Sequence, residues 1–389
     1  SDNVNLEGAK VVLTTGDGTG NVSLSTLEKG QPLDITAGTG NVDFNGAVGN
    51  VTAPLGLVRV LSSTTITADD IFKSAGLTWT STGETQIDGA VTSTAAVSLT
   101  ASLIDINAAI GAAGQTVDLN ASQAAGAALT VDGGAITTTG GGNANAGNID
   151  IDLSGSGGTA VFSQDLIAQG GTATGQQGKV GGAVTINTTD GMVVFNSGAD
   201  IDTSGTDGDG AGNVGGAAGL VTIDTGSADI TLTDTTITAV GGRTDGAGVI
   251  TGAGGAVTIS GGVELVNAQV TVTTGTTAGN ISFTAIDSTT AQPLHLTAGT
   301  GNIDFNGKVG NSNTPGLVTI VSAGTIDTDD TFESAGLTWS STGKTQIDGI
   351  ITSTANVTLA ASEIDLNKSI VARGRKVDLD PGPDGLNVD

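Results

Sequence analysis

The residues of this chain whose types and spacing could do chemistry are chiefly its carboxylates, 39 Asp and Glu against 12 Lys and Arg. The 389 residues include no Cys, no Tyr and one His, so thiolate nucleophiles, thiolate metal sites and disulfides are excluded together. Adjacent acids occur twice, as Asp69/Asp70 in ITADDIF and Asp329/Asp330 in IDTDDTF. Two carboxylates at one turn offer hard oxygen ligands to Ca2+, or an acid/base pair for glycoside cleavage. The plainer reading is an acidic turn kept soluble by its charge. Asp207 and Asp209 alternate with glycine in GTDGDGAGNVGG, which adds backbone carbonyls to two carboxylates and again suits Ca2+. Against that, GGxGxD does not recur in tandem, and a flexible, solvated loop explains the segment as well. His295 has no nucleophile spaced to use it and reads as a solvated side chain. Trp79 and Trp339 read as bulky core residues before sugar-stacking platforms. No GxGxxG-like string precedes a helix that would hold a phosphate. No catalytic residue and no organic cofactor is expected, and Ca2+ is the one candidate ion.

The elements that position these residues repeat on two scales. QPLDITAGTGNVDFNGAVGN from Gln31 returns as QPLHLTAGTGNIDFNGKVGN from Gln292, and SAGLTWTSTGETQIDGAVTSTAAVSLTAS from Ser74 returns from Ser334. The offset is 260 to 261 residues, and it pairs Asp69 with Asp329, Trp79 with Trp339, and Asp34 with His295. Within each copy, apolar residues alternate with Thr, Ser, Asp and Asn on short segments: Val22/Leu24, Val42/Phe44, Val58/Val60, Leu77/Trp79, Val97/Leu99 and Val117/Leu119. Their spacing reads as one stack of strands with a period near 20 residues, each strand having one dry and one wet face. In the middle third the period lengthens to about 36 residues, with NIDI at Asn148 and VTI at Val184, Val221 and Val257 preceded by glycine-rich stretches.

This pattern predicts an all-β chain, a right-handed parallel β-helix with coils of about 20 residues and longer Gly-rich coils in the middle. Three sections follow: residues 1–120 as the first copy, 121–267 as the Gly-rich insert, and 268–389 as the second copy. An antiparallel sandwich explains the alternation but not the regular spacing. Aromatics are only 2% of the residues, so the core must be Val, Ile, Leu and Ala.

Charge narrows the partners. The formal net charge is −27, which repels phosphate backbones and excludes nucleic acid. There is no apolar run of membrane-spanning length, so no membrane insertion is expected. The chain opens Ser1-Asp2-Asn3 without a signal-like segment and reads as a mature protein or a piece of a longer one.

GNVDFNG, GLTWTSTGETQIDG and AVSLTAS in near-20-residue register, with GGAVTI segments after glycine-rich stretches, resemble the repeat region of filamentous-haemagglutinin-like adhesins and related giant bacterial β-strand-repeat proteins. The resemblance implies a secreted shaft at the cell surface, with structural or adhesive work and no catalysis. Its expected partners are like subunits or neighbouring repeats end to end, and surface glycans or a host-cell receptor. The alternative is a β-helical polysaccharide-processing enzyme of lyase or glycosidase type, which would need convergent acids and bases in a cleft.

Overall fold

Alternating apolar and polar residues give mostly short strands, many of two to five residues, too short to fold alone; each buries its dry side only when another coil lies above and below it. The computed structural model, which describes residues 4–49, 53–122, 126–153, 157–246 and 248–388, is such a stack. Among the described residues every strand pairing is parallel, apart from one antiparallel bridge between Arg243 and Ile250. The only helical turn there is Thr244–Gly246, and no helix is long and apolar enough to cross a membrane. The chain is a parallel β-helix.

Each coil has three faces. The first runs from Val11 through Leu33, Val58, Leu77, Val97 and Val117. It continues through Ile149, Val184, Val221 and Val257 of the insert. From there it passes to Ile281, Ile303, Ile326, Thr345, Ile364 and Leu386 of the second copy. The second face carries Val22, Val42, Ile66 and Thr85, and the third carries Val48, Phe72, Val91 and Ile110. Fifteen coil-to-coil steps at about 4.8 Å make a rod about 72 Å long. Inward Val, Ile, Leu and Ala from all three faces form one continuous core.

The stack corrects the simple 20-residue series. Val22 and Val42 lie on the second face, whereas Val58, Leu77, Val97 and Val117 lie on the first. The step from Val42 to Val58 therefore moves around the coil to another face instead of one coil upward. Both faces carry the same alternation, so spacing alone cannot separate them.

The repeat has a related property. Leu33 and Ile281 lie nine steps apart on the first face, and Leu294, the counterpart of Leu33, lies two faces beyond Ile281 on the third. The repeat is thus nine and two-thirds coils long. The second copy is set around the axis by one face relative to the first.

The long coils differ at one corner, between the third face and the first. There the chain leaves and returns through a pinch: Gly147 N–H donates to Thr138 O, Gly182 to Ala168, Gly219 to Thr203 and Gly255 to Ala239, at 2.7–3.0 Å. The loops beyond the pinches bond to one another, as Gly170 to Ser204, Gly205 to Val240 and Gly178 to Val214. A Cβ on Gly178, Gly205, Gly208 or Gly216 would come closer than 3.0 Å to neighbouring backbone. The stretch around Asp207 and Asp209, expected as a flexible solvated loop, is therefore part of a fin of stacked backbone. Glycine is required there by close approach.

Candidate functional site

The paired acids lie where strands of the second-face type turn toward the next face, and the two members of each pair do different things. Asp70 Oδ1 accepts the backbone N–H of Ile71, and Asp330 Oδ1 that of Thr331, each at 2.7 Å. Their own carbonyl groups press on Gly89 and Gly349 of the following coil, where a side chain would clash. Asp70 and Asp330 thus hold the turn. Asp69 and Asp329 are exposed beside them.

The structure groups Asp329 with two residues that the sequence reading missed. One carboxylate oxygen from each of Asp327, Asp329 and Asp348 lies within 4.8 Å of the others. Asp327 Oδ1 is buried without a hydrogen-bond partner. Burial and then Asp329, Asp348 and Asp304 push the Asp327 carboxyl above its ordinary range. Asp348 is instead held below it, because Asn367 and Gln346 donate to its carboxylate. These three oxygens are the residues that could hold a hard cation. The first copy has Thr67 where the second has Asp327, and Thr67 Oγ1 donates to Asp43 at 3.1 Å. Among the described residues, that one difference leaves Asp69 and Asp88 without a third carboxylate grouped with them. The signal was readable as ITADD against IDTDD, given knowledge of which coils are adjacent.

Asp207 and Asp209 do not converge. Asp207 Oδ1 accepts the N–H of Arg243 from the next coil at 2.7 Å, whereas Asp209 Oδ2 accepts that of Gly175 from the preceding coil at 2.8 Å. Both carboxylates tie fin loops together.

A carboxylate flanked by two cations lies at Asp34, on an outward position of the first face. Arg59 donates to it through Nε at 2.8 Å and through a second guanidinium nitrogen at 2.5 Å, and Lys10 forms an ion pair from the other side. The two cations cover it, leaving the residue 5% exposed. The hydrogen bond from Arg59, helped by Lys10 and opposed by burial, holds the Asp34 carboxyl down at about 2. Its counterpart His295 is half-buried between Thr271 and Thr319 on the third face.

Trp79 and Trp339 are each 1% exposed and lie in matching aromatic cages. Trp79 stacks on Phe44 at 5.5 Å and meets Phe72 edge-on at 5.1 Å; Trp339 does the same with Phe305 and Phe332 at 6.0 and 5.0 Å. Neither indole can reach a sugar. A hollow of about 160 Å³ on the third face is lined by Asp165, Asp200, Asp202, Thr236 and Thr238. Burial, with Asp165, Asp234 and Asp202 adding to it, raises the Asp200 carboxyl, although the Thr236 N–H bonded to it at 2.7 Å pulls the other way. Asp165 in turn accepts the N–H of Asp200, so these acids also link coils. No protein-family model, no curated protein and no solved structure matches the chain.

Proposed function

We propose that this chain is a structural or adhesive section of a long secreted surface or extracellular filament protein, working through length, stiffness and repeated surface without catalysis. The observation that carries the reading is the continuous core from Leu6 to Ile364 combined with duplicated outer surfaces, including the twin turns at Asp70 and Asp330. Such a molecule extends by adding coils, and each added repeat brings the same surface again. In this reading its partners are like subunits or neighbouring repeats end to end and glycans or receptors on a cell surface. Ca2+ at the turn of Asp327, Asp329 and Asp348 is an accessory.

Negative-stain electron microscopy with and without a Ca2+ chelator tests it. Filaments or ordered arrays support the reading, and their loss on chelation would place the ion in assembly. Isolated rods that bind no cell surface or glycan would count against it. A second reading, polysaccharide cleavage, is favoured only by the hollow at Asp165, Asp200 and Asp202, since it sets a carboxyl raised by burial among further acids, and acid/base cleavage of a sugar uses two carboxyl groups. Release of reducing or unsaturated sugar ends from a polysaccharide panel, abolished by Asp200→Asn, would establish it.

A further inference from the structure

In a parallel ladder, outward residues at the same register lie about 4.8 Å apart from coil to coil, and like charges placed so oppose the stack. Asp118 of the first copy is in register with Asp150 of the insert. At the other boundary, Glu264 of the insert is in register with Asp287 of the second copy. We infer that the two junctions of the glycine-rich insert are proton-sensitive seams, in which each of these carboxylate pairs takes up a proton on mild acidification and draws its two coils together.

The groups around each pair supply no counter-charge. Among the described residues, Asp118 receives neutral donors, Ser98 Oγ at 3.3 Å and Asn120 Nδ2 at 2.9 Å, and no ion pair. Asp150 has Thr185 on its far side in the file, with Asp152 and Asn187 in the next file. Glu264 is in register with Thr231 of the preceding coil, where the nearby acid Asp229 stands opposite Gly262, and Asp287 accepts the N–H of Ser312 at 2.9 Å. Lys308, in the coil after Asp287, makes no ion pair with either acid among the described residues. The contrast lies within the chain: Asp378, the counterpart of Asp118, is paired with Lys376 at 2.5 Å.

Burial and then Asp118 raise the Asp150 carboxyl, and burial and then Asp287 and Asp229 raise that of Glu264. A carboxyl raised in the folded state takes up a proton on folding. The seam therefore gains stability as pH falls through the raised value and is weakest at neutral pH and above. This inference does not depend on what the rod does in its native setting.

Hydrogen exchange of the full chain at pH 7 and pH 5, corrected for the intrinsic rate, tests it. Strands Val117–Ala121, Ile149–Leu153, Val257–Val266 and Ile281–Ser288 should gain more protection at pH 5 than Leu77–Thr80 inside the first copy. Asp150→Asn and Glu264→Gln should each raise protection at their own seam at pH 7 and remove most of its pH dependence. The gain is up to about tenfold for every unit by which a pair's pKa is raised. Asp118→Asn probes the first pair from the other coil should Asp150→Asn not fold. Equal gains at the first seam from Asp132→Asn, an exposed acid outside the ladder, would reduce the effect to net charge and overturn the inference. So would seam strands that respond to pH no more than Leu77–Thr80.

Discussion

Trp79 and Trp339 are equivalent in sequence and each is caged by one stacked and one edge-on Phe, yet they stand on different faces of the rod. Trp79 lies in the ladder of Val60 and Leu99, and Trp339 in that of Ile320 and Leu359, which traces back through Ile237 and Leu166 to Val91 on the third face of the first copy. A repeat of nine and two-thirds coils advances the surface by about 46 Å and sets it one face around. Features carried by both copies are therefore shown on two different sides of the rod.

This phase is open to a cross-linking test. Ser282 lies in register with Thr258 on the first face, so a Thr258→Cys/Ser282→Cys pair is within disulfide reach of about 4.4–6.8 Å between Cα atoms. Without the rotation, Ser282 would sit on the second face over Glu264, because its counterpart Ser23 is a second-face residue. We expect the 258/282 pair to oxidise rapidly and a Glu264→Cys/Ser282→Cys pair to remain reduced. The reverse result would remove the rotation.

The covered carboxylate at Asp34 predicts an acid limit for the first coils. Its pKa is held at about 2 by Arg59 and Lys10, below the unfolded value of roughly 3.9. The stabilisation is complete above the unfolded value and is lost as pH falls through the folded one. It amounts to about 2 kcal/mol, less what water screens around two part-exposed cations. Exchange of strand Leu33–Thr36 should therefore accelerate between about pH 4 and pH 2, more than that of Leu294–Thr297, where His295 replaces the acid. Asp34→Asn should produce the same loosening at pH 7, and an unchanged Leu33–Thr36 in that variant would contradict the assignment.

Much of this architecture is legible in the sequence, and the reasons differ by element. Alternation at Leu77/Trp79 and Val97/Leu99 identifies strands, and duplication around them identifies a solenoid, because only stacking buries so short a strand. The face a strand occupies is not legible. Val42 and Val58 have the same local pattern on different faces, and only the connecting turns distinguish them. Coil adjacency hides the chemistry too: Lys10, Asp34 and Arg59 are 24 and 25 residues apart, and Asp327 meets Asp348 one coil on. Given the register, both clusters could have been found from sequence. The fin was misread because glycine marks a flexible loop and a backbone-packed one alike.

The fin supplies a contrast between two glycines. A Cβ on Gly216 would strike the Lys179 backbone, and Gly216 N–H already bonds to Thr206 O at 2.9 Å. At Gly141, in the first fin loop, the nearest atom is the Ala113 side chain at 3.7 Å. Gly216→Ala should therefore open residues 203–219 to limited proteolysis at neutral pH, while Gly141→Ala leaves the digestion pattern unchanged. Equal behaviour would mean that the fin loops do not pack as described.

Divalent-cation binding should be confined to the second copy. Among the described residues, three acidic oxygens meet only where Asp327 stands between Asp304 and Gln346 in the file, and in the first copy Thr67 donates to Asp43 instead. Loss of one ligand from a three-carboxylate site lowers both charge and coordination number, and hard cations depend on both. Calorimetric titration with Ca2+ should thus show binding that Asp327→Thr abolishes and Asp69→Asn leaves intact. The converse substitution, Thr67→Asp, should create a second site of similar affinity, because it supplies the first copy with the one carboxylate it lacks beside Asp69 and Asp88. Binding that survives Asp327→Thr but is lost with Asp207→Asn would move the ion to the fin, where the present contacts tie Asp207 and Asp209 to different coils.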